Sequence, residues 1–126
     1  MKLISFLLAL TLTVFGFAAC GTTTSEDDPD NPVLIISTGM TFTTSALTAT
    51  SGATVTIINN DSQIHTITSE SAPDAFDDTG DFDATVPALS SGLFTLPSAS
   101  AGEVFYFYCD IHEGMMLPST GTITIQ

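Results

Sequence analysis

Basic side chains are almost missing from this chain. Its 126 residues contain a single Lys or Arg, Lys2, against 14 Asp and Glu, for a formal net charge of −13 with His neutral. Beyond Lys2 no conventional salt bridge can form. Nucleic acid and anionic lipid surfaces would repel such a chain, so both are poor partners. A basic protein partner or a high-salt habitat suits it, and so does the plainer reading that acidity keeps a β-rich protein soluble. Histidine and cysteine are scarce as well, with two of each. Neither a sustained helical period nor an internal repeat is found, which leaves short β-type runs as the dominant signal.

What is present begins with an export signal. Met1-Lys2 forms a positive n-region, Leu3 to Phe17 is apolar but for Ser5, Thr11, Thr13 and Gly16, and Ala18-Ala19 lead into Cys20. The order resembles the lipobox of bacterial lipoproteins, with Phe17 where an aliphatic residue is usual. The resemblance implies a signal peptide over residues 1–19 and a lipid on the Cys20 sulfur. The protein would then be membrane-anchored outside the cytoplasm, in the periplasm or on the cell surface. An uncleaved anchor helix is the alternative. Cleavage would remove Lys2 and with it the last Lys or Arg. With Cys20 lipidated, Cys109 has no disulfide partner, and a lone thiol outside the cell is a liability unless it is buried or bonded.

Residues 20–32 lack apolar side chains after Cys20 and mix Thr, Ser, acids and Pro, as expected of a flexible tether. From Val33 to Gln126 the composition changes to that of one small domain. "VLIIS", "TFTT", "ATVTIIN", "HTITS", "GLFTLP", "EVFYFYC" and "GTITIQ" read as strands separated by Gly, Asn, Asp and Ser turns. Their spacing predicts an all-β, antiparallel sandwich or barrel of about seven or eight strands. Apolar residues alternate with Thr in Ala53–Ile57 and Gly121–Ile125, so each has one buried face. "VFYFY" has no polar alternate and predicts a central strand covered on both sides. Glu70 to Thr85 reads as a long solvated acidic connection anchored by Phe76 and Phe82.

Chemistry gathers near the C-terminus. Cys109 ends the aromatic run, and His112 and Met115 follow in a C-x-x-H-x-x-M pattern. His65 stands at another turn-to-strand junction. A thiolate, two imidazoles and a weak thioether are the donors of a blue-copper centre. Thiolate and imidazole serve both Cu(II) and Cu(I), and a weak axial donor leaves little to rearrange when an electron arrives. Zinc is the competing metal, although its sites usually avoid thioether. A buried inert thiol and core methionines are the bland readings of the same residues. With both His assigned to a metal, no nucleophile–base pair remains, so enzyme activity is not expected.

These residues resemble the cupredoxins, the family of plastocyanin, amicyanin and halocyanin-type proteins, over about Val33 to Gln126. The resemblance rests on Phe42, Leu47, Gly52, Val55, Asn60, Asp61, His65 and Thr66, and on Ala101-Gly102 through Tyr108-Cys109, His112 and Met115. It implies a Greek-key fold and one type 1 copper held by His65, Cys109, His112 and Met115, with Met116 as the rival axial ligand. The spacing from His112 to Met115 is similar to amicyanin. Thr66 stands where many relatives have Asn, which leaves open what fastens that ligand loop.

By the same resemblance the chain is expected to carry single electrons between redox proteins; the lipobox would make it a tethered carrier, and a monomer is expected. Met116, Leu117 and Pro118 would form an apolar collar beside the exposed edge of His112, and Tyr108 would mark a second route. Asp74, Asp77, Asp78, Asp81 and Asp83 would steer a basic partner such as a cytochrome or an oxidoreductase. The alternatives are copper storage, delivery or resistance, and a metal-free sandwich lipoprotein. "LPSTG" (Leu117 to Gly121) matches a cell-wall sorting signal, but the alternation of Thr122 to Ile125 predicts a closing strand instead.

Overall fold

The computed structural model describes residues 28–126. The expected signal peptide, Cys20 and residues 20–27 of the tether lie outside them. Nine strands follow one another: β1 (Val33–Ser37), β2 (Thr41–Phe42), β3 (Ala46–Ala49), β4 (Thr54–Asn59), β5 (His65–Glu70), β6 (Asp83–Val86), β7 (Ser90–Thr95), β8 (Val104–Tyr108) and β9 (Gly121–Ile125). A single 3-10 turn, Asp110–His112, follows β8.

The strands form two facing sheets, ordered β2-β1-β4-β7 and β3-β9-β8-β5-β6, in a Greek-key sandwich. Each of the seven runs expected as strands overlaps one. Alternation does what the sequence requires of it. In β4, Val55, Ile57 and Asn59 point inward while Thr54, Thr56 and Ile58 are less buried. In β9, Gly121, Ile123 and Ile125 are buried and Thr122 and Thr124 are not. Leu34, Ile36 and Ile57 of one sheet meet Ile67, Phe107 and Ile123 of the other in a shared apolar core. Burying each large side chain of this kind contributes about 1.5–3 kcal/mol.

Four expectations need correction. The sheets are mixed rather than wholly antiparallel, since β1 runs parallel to β4 and β3 parallel to β9. Chain segments arriving from the far end of the sandwich produce those pairings, which strand periodicity does not encode. Strands β3 and β6 are additional; β6 lies within the stretch expected as a solvated connection, where it pairs with β5 and buries Val86. β8 is central in its sheet, but only Phe107 and Tyr108 are buried, and Val104 at its start is exposed. The end of the expected tether is docked, because the carbonyls of Pro29 and Pro32 accept hydrogen bonds from the N–H groups of Thr50 (2.8 Å) and Thr56 (3.0 Å).

One consequence of the topology matters for the site. β5 and β8 are antiparallel neighbours, with Thr68 opposite Tyr108. The start of β5 and the end of β8 therefore share one end of the sandwich, and that brings His65 to Cys109 across 44 residues of chain.

Candidate metal centre

His65 enters through a turn that its own polar side chains build. Asn59, buried at the end of β4, donates from Nδ2 to the carbonyls of Gln63 (2.8 Å) and Pro87 (2.9 Å). Its Oδ1 accepts the N–H of Asp61 (2.9 Å). The turn is thereby tied both to itself and to the segment before β7. It delivers His65 into the interior with none of its surface exposed.

Cys109 is equally enclosed, at 1% exposure. Its Sγ accepts the N–H of Thr66 at 3.3 Å. The Thr66 hydroxyl lies 3.8 Å from the same sulfur and accepts the N–H of Asp110 at 2.8 Å. Thr66 therefore fastens the His65 strand to the Cys109 loop, which answers what takes the place of Asn there. The chain then winds through the 3-10 turn, where the N–H of His112 donates to the carbonyl of Cys109 (3.1 Å) and that of Met115 to the carbonyl of His112 (3.0 Å). Gly114, at φ 66°, reverses it.

The three donors converge. Cys109 Sγ lies 3.7 Å from His65 Nδ1 and 3.5 Å from His112 Nδ1. All three ligand atoms fall within 4.8 Å of one another. Bonds of about 2.0–2.3 Å from a central ion, at angles near trigonal or tetrahedral, require sulfur–nitrogen separations of about 3.5–3.7 Å. The donor set fits a thiophilic transition metal. Among the described residues this is the one such cluster of His, Cys, Asp and Glu. His112 is partly exposed, whereas the other two donors are closed off.

The methionines divide differently from expectation. Met115 is 56% exposed, whereas Met116 is 1% exposed and packs in the core cluster. The cause is the segment that follows. The N–H of Leu117 donates to the carbonyl of Met40 (2.9 Å), and the N–H of Phe42 donates to the carbonyl of Leu117 (3.0 Å). Strapping Leu117 beside β2 turns Met116 inward and Met115 out.

Two of the expected docking residues are corrected on the same ground. Met116 belongs to the interior, and Tyr108 is 1% exposed, its ring against Phe76 at a centroid separation of 5.6 Å. Burial, with the hydrogen bond from its hydroxyl to Asp110, pushes the Tyr108 pKa up to about 12. Leu117 and Pro118 are exposed as expected. Ile64 and Ile111, adjacent in sequence to His65 and His112, are exposed apolar residues that sequence reasoning passed over. Asp74, Asp77, Asp78, Asp81 and Asp83 are exposed. The loop carrying the first four is tied to the 117–120 segment, since the N–H of Asp74 donates to Thr120 Oγ1 at 2.9 Å.

Asp61, which belongs to the motif but was assigned no contact from it, also reaches the site. It is 3% exposed, and its Oδ2 lies 3.1 Å from His65 Nε2. Desolvation by burial works against its charge. Hydrogen bonds from His65 and from the N–H groups of Met40 and Ser62 outweigh that and hold the carboxyl below its ordinary value of 3.8.

The mixed two-sheet sandwich has the fold of solved cupredoxin structures. Auracyanin from the photosynthetic bacterium Roseiflexus castenholzii, in its dithionite-reduced form, is 17% identical with a TM-score of 0.60, covering 77% of this chain and 97% of its own. A purple cupredoxin from Nitrosopumilus maritimus is 23% identical with a TM-score of 0.51, covering 75% and 98%. The P52G mutant of amicyanin, in a reduced Cu(I) form, is 20% identical with a TM-score of 0.54, covering 75% and 80%. No protein-family model and no curated protein matches the chain. At these identities the likeness is one of fold.

Proposed function

We propose that this domain binds one copper ion through His65, Cys109 and His112, with Met116 as the weak axial donor, and carries single electrons. The observation that carries this reading is the convergence of two imidazole Nδ1 atoms on one buried thiol, at separations of 3.5 and 3.7 Å. Copper supplies the one-electron couple between Cu(II) and Cu(I). The protein's part is to hold the donors still. Thr66 pins both ligand segments, the Asn59 turn fixes His65, and the surrounding core excludes water. Met116 is preferred over Met115 because an axial thioether in a dry site has to come from inside.

His112, the one partly exposed donor, is the natural way in for electrons. Ile64, Ile111, Met115, Leu117 and Pro118 offer apolar surface from the same end of the fold, of the kind a redox partner covers on docking. Asp77, Asp78 and Asp81 would steer a basic partner, such as a cytochrome or an oxidoreductase, toward it. Electron-transfer rates should then fall with added salt. A storage or delivery protein would need a more open site than two closed donors provide. The export signal and Cys20 support a lipid-anchored carrier outside the cytoplasm.

The test is direct. Purified protein loaded with Cu(II) is expected to show an intense visible thiolate-to-copper band, absent in Cys109→Ser. A colourless complex, or a band that survives the substitution, would overturn the proposal.

A further inference from the structure

The Asp61–His65 pair reaches beyond ligation. Asp61 is enclosed, and no Lys or Arg exists beyond Lys2 to balance it. Its Oδ2 accepts the N–H of Met40 at 3.1 Å and its Oδ1 the N–H of Ser62 at 2.7 Å. The N–H of Leu89 donates to its main-chain carbonyl at 3.0 Å. The residue is thus held from three segments, its carboxylate from β4's exit turn and from before β2, its main-chain carbonyl from before β7. Its one side-chain partner is His65 Nε2 at 3.1 Å. An ionised carboxylate only accepts, so Nε2 must carry the proton. In a neutral imidazole the other nitrogen, Nδ1, then keeps its lone pair, and Nδ1 is the atom facing Cys109 Sγ at 3.7 Å.

We infer that Asp61 is a positioning residue that fixes His65 in the Nε2–H tautomer before any metal arrives and, on the copper reading above, stabilises Cu(II) over Cu(I). The first role follows from hydrogen-bond chemistry alone. The second follows from charge: a carboxylate hydrogen-bonded to a ligating imidazole makes it a stronger donor, and negative charge close to the centre favours the more positive metal. Asp61 thereby offsets the N–H of Thr66 at the sulfur, which stabilises thiolate charge and pulls the other way.

Two measurements test this. In ¹⁵N-labelled metal-free protein at pH 8, long-range proton–nitrogen correlation is expected to show His65 protonated at Nε2, needing no variant. A proton on Nδ1 would overturn the inference whatever the domain binds. Asp61→Asn keeps a carbonyl oxygen for Met40 and His65, gives up the Oδ1 acceptor of the Ser62 N–H, and removes the charge. It is expected to weaken Cu(II) binding about tenfold with Cu(I) binding little changed, which raises the potential by about 59 mV. Asp61→Glu should restore the parent value in part. A purely architectural role for Asp61 predicts the same potential in Asp61→Asn as in the parent, and that result would overturn the charge role. Should the protein take up no copper, the proposed function fails while the tautomer measurement still decides the first role.

Discussion

The ring of Phe107 lies directly over Gly121, its cross-strand partner on β9. A Cβ added at Gly121 would sit 2.0 Å from Phe107 Cζ. The glycine is required by that ring, which also meets Phe42 edge-on at a centroid separation of 5.2 Å. Gly121→Ala is expected to destabilise the fold by about 1–3 kcal/mol through overpacking, read from the midpoint of chemical denaturation. An unchanged midpoint would show that the ring moves aside freely.

The two methionines should part company under substitution. On the Cu(II)-loaded protein, Met116→Leu is expected to shift the visible spectrum and the potential, because the axial donor tunes both. Met115→Leu, altering an exposed side chain, should leave both as they were. The reverse pattern would assign the axial position to Met115.

Thr66→Val keeps the shape of the side chain and removes its hydroxyl. The N–H of Asp110 then loses its acceptor, and the sulfur keeps only the main-chain donor. A loss of about 1–3 kcal/mol is expected from the orphaned group, with Thr66→Ser recovering most of it. Equal stability in all three proteins would mean that water replaces the hydroxyl at no loss.

Asp77 gives a pH dependence far from the ligands. The N–H of Ser71 (2.9 Å) and then its hydroxyl (2.8 Å) donate to this carboxylate and hold its pKa below 3.8. A depressed carboxyl stabilises the folded state above its unfolded pKa, so this contribution is present above pH 3.8 and is lost as pH falls through the folded value. Carboxyl NMR titration should find Asp77 below the ordinary range in the parent and nearer to it in Ser71→Ala. Coincident titrations would remove the Ser71 hydroxyl as a cause and leave only the main-chain N–H.

Much of the architecture is written in period-two alternation, as in Val55-Thr56-Ile57 or Thr122-Ile123-Thr124. Those patterns have a single way to bury one face. His65, Cys109 and His112 were legible because few residue types make such a donor set, with His65 opening a strand and Cys109 and His112 following one closely. Met115 and Met116 were not separable, since adjacent residues in a loop are sorted by which neighbour the loop is fastened to. Here that neighbour is Met40, some 75 positions earlier (Met40 to Met115). Asp61 stood in the motif, yet a spacing of four residues through a turn does not say that a carboxylate meets an imidazole. The parallel pairings and the enclosure of Tyr108 likewise depend on segments remote in the chain.

The donors come from β5 and from the exit of β8, strands that adjoin only in the finished second sheet. Before that sheet closes, the chain can offer a metal Cys109 and His112 side by side but not His65. The complete donor set is therefore a property of the closed sheet: whatever opens the pairing of β5 with β8 also takes His65 away from Cys109 and His112.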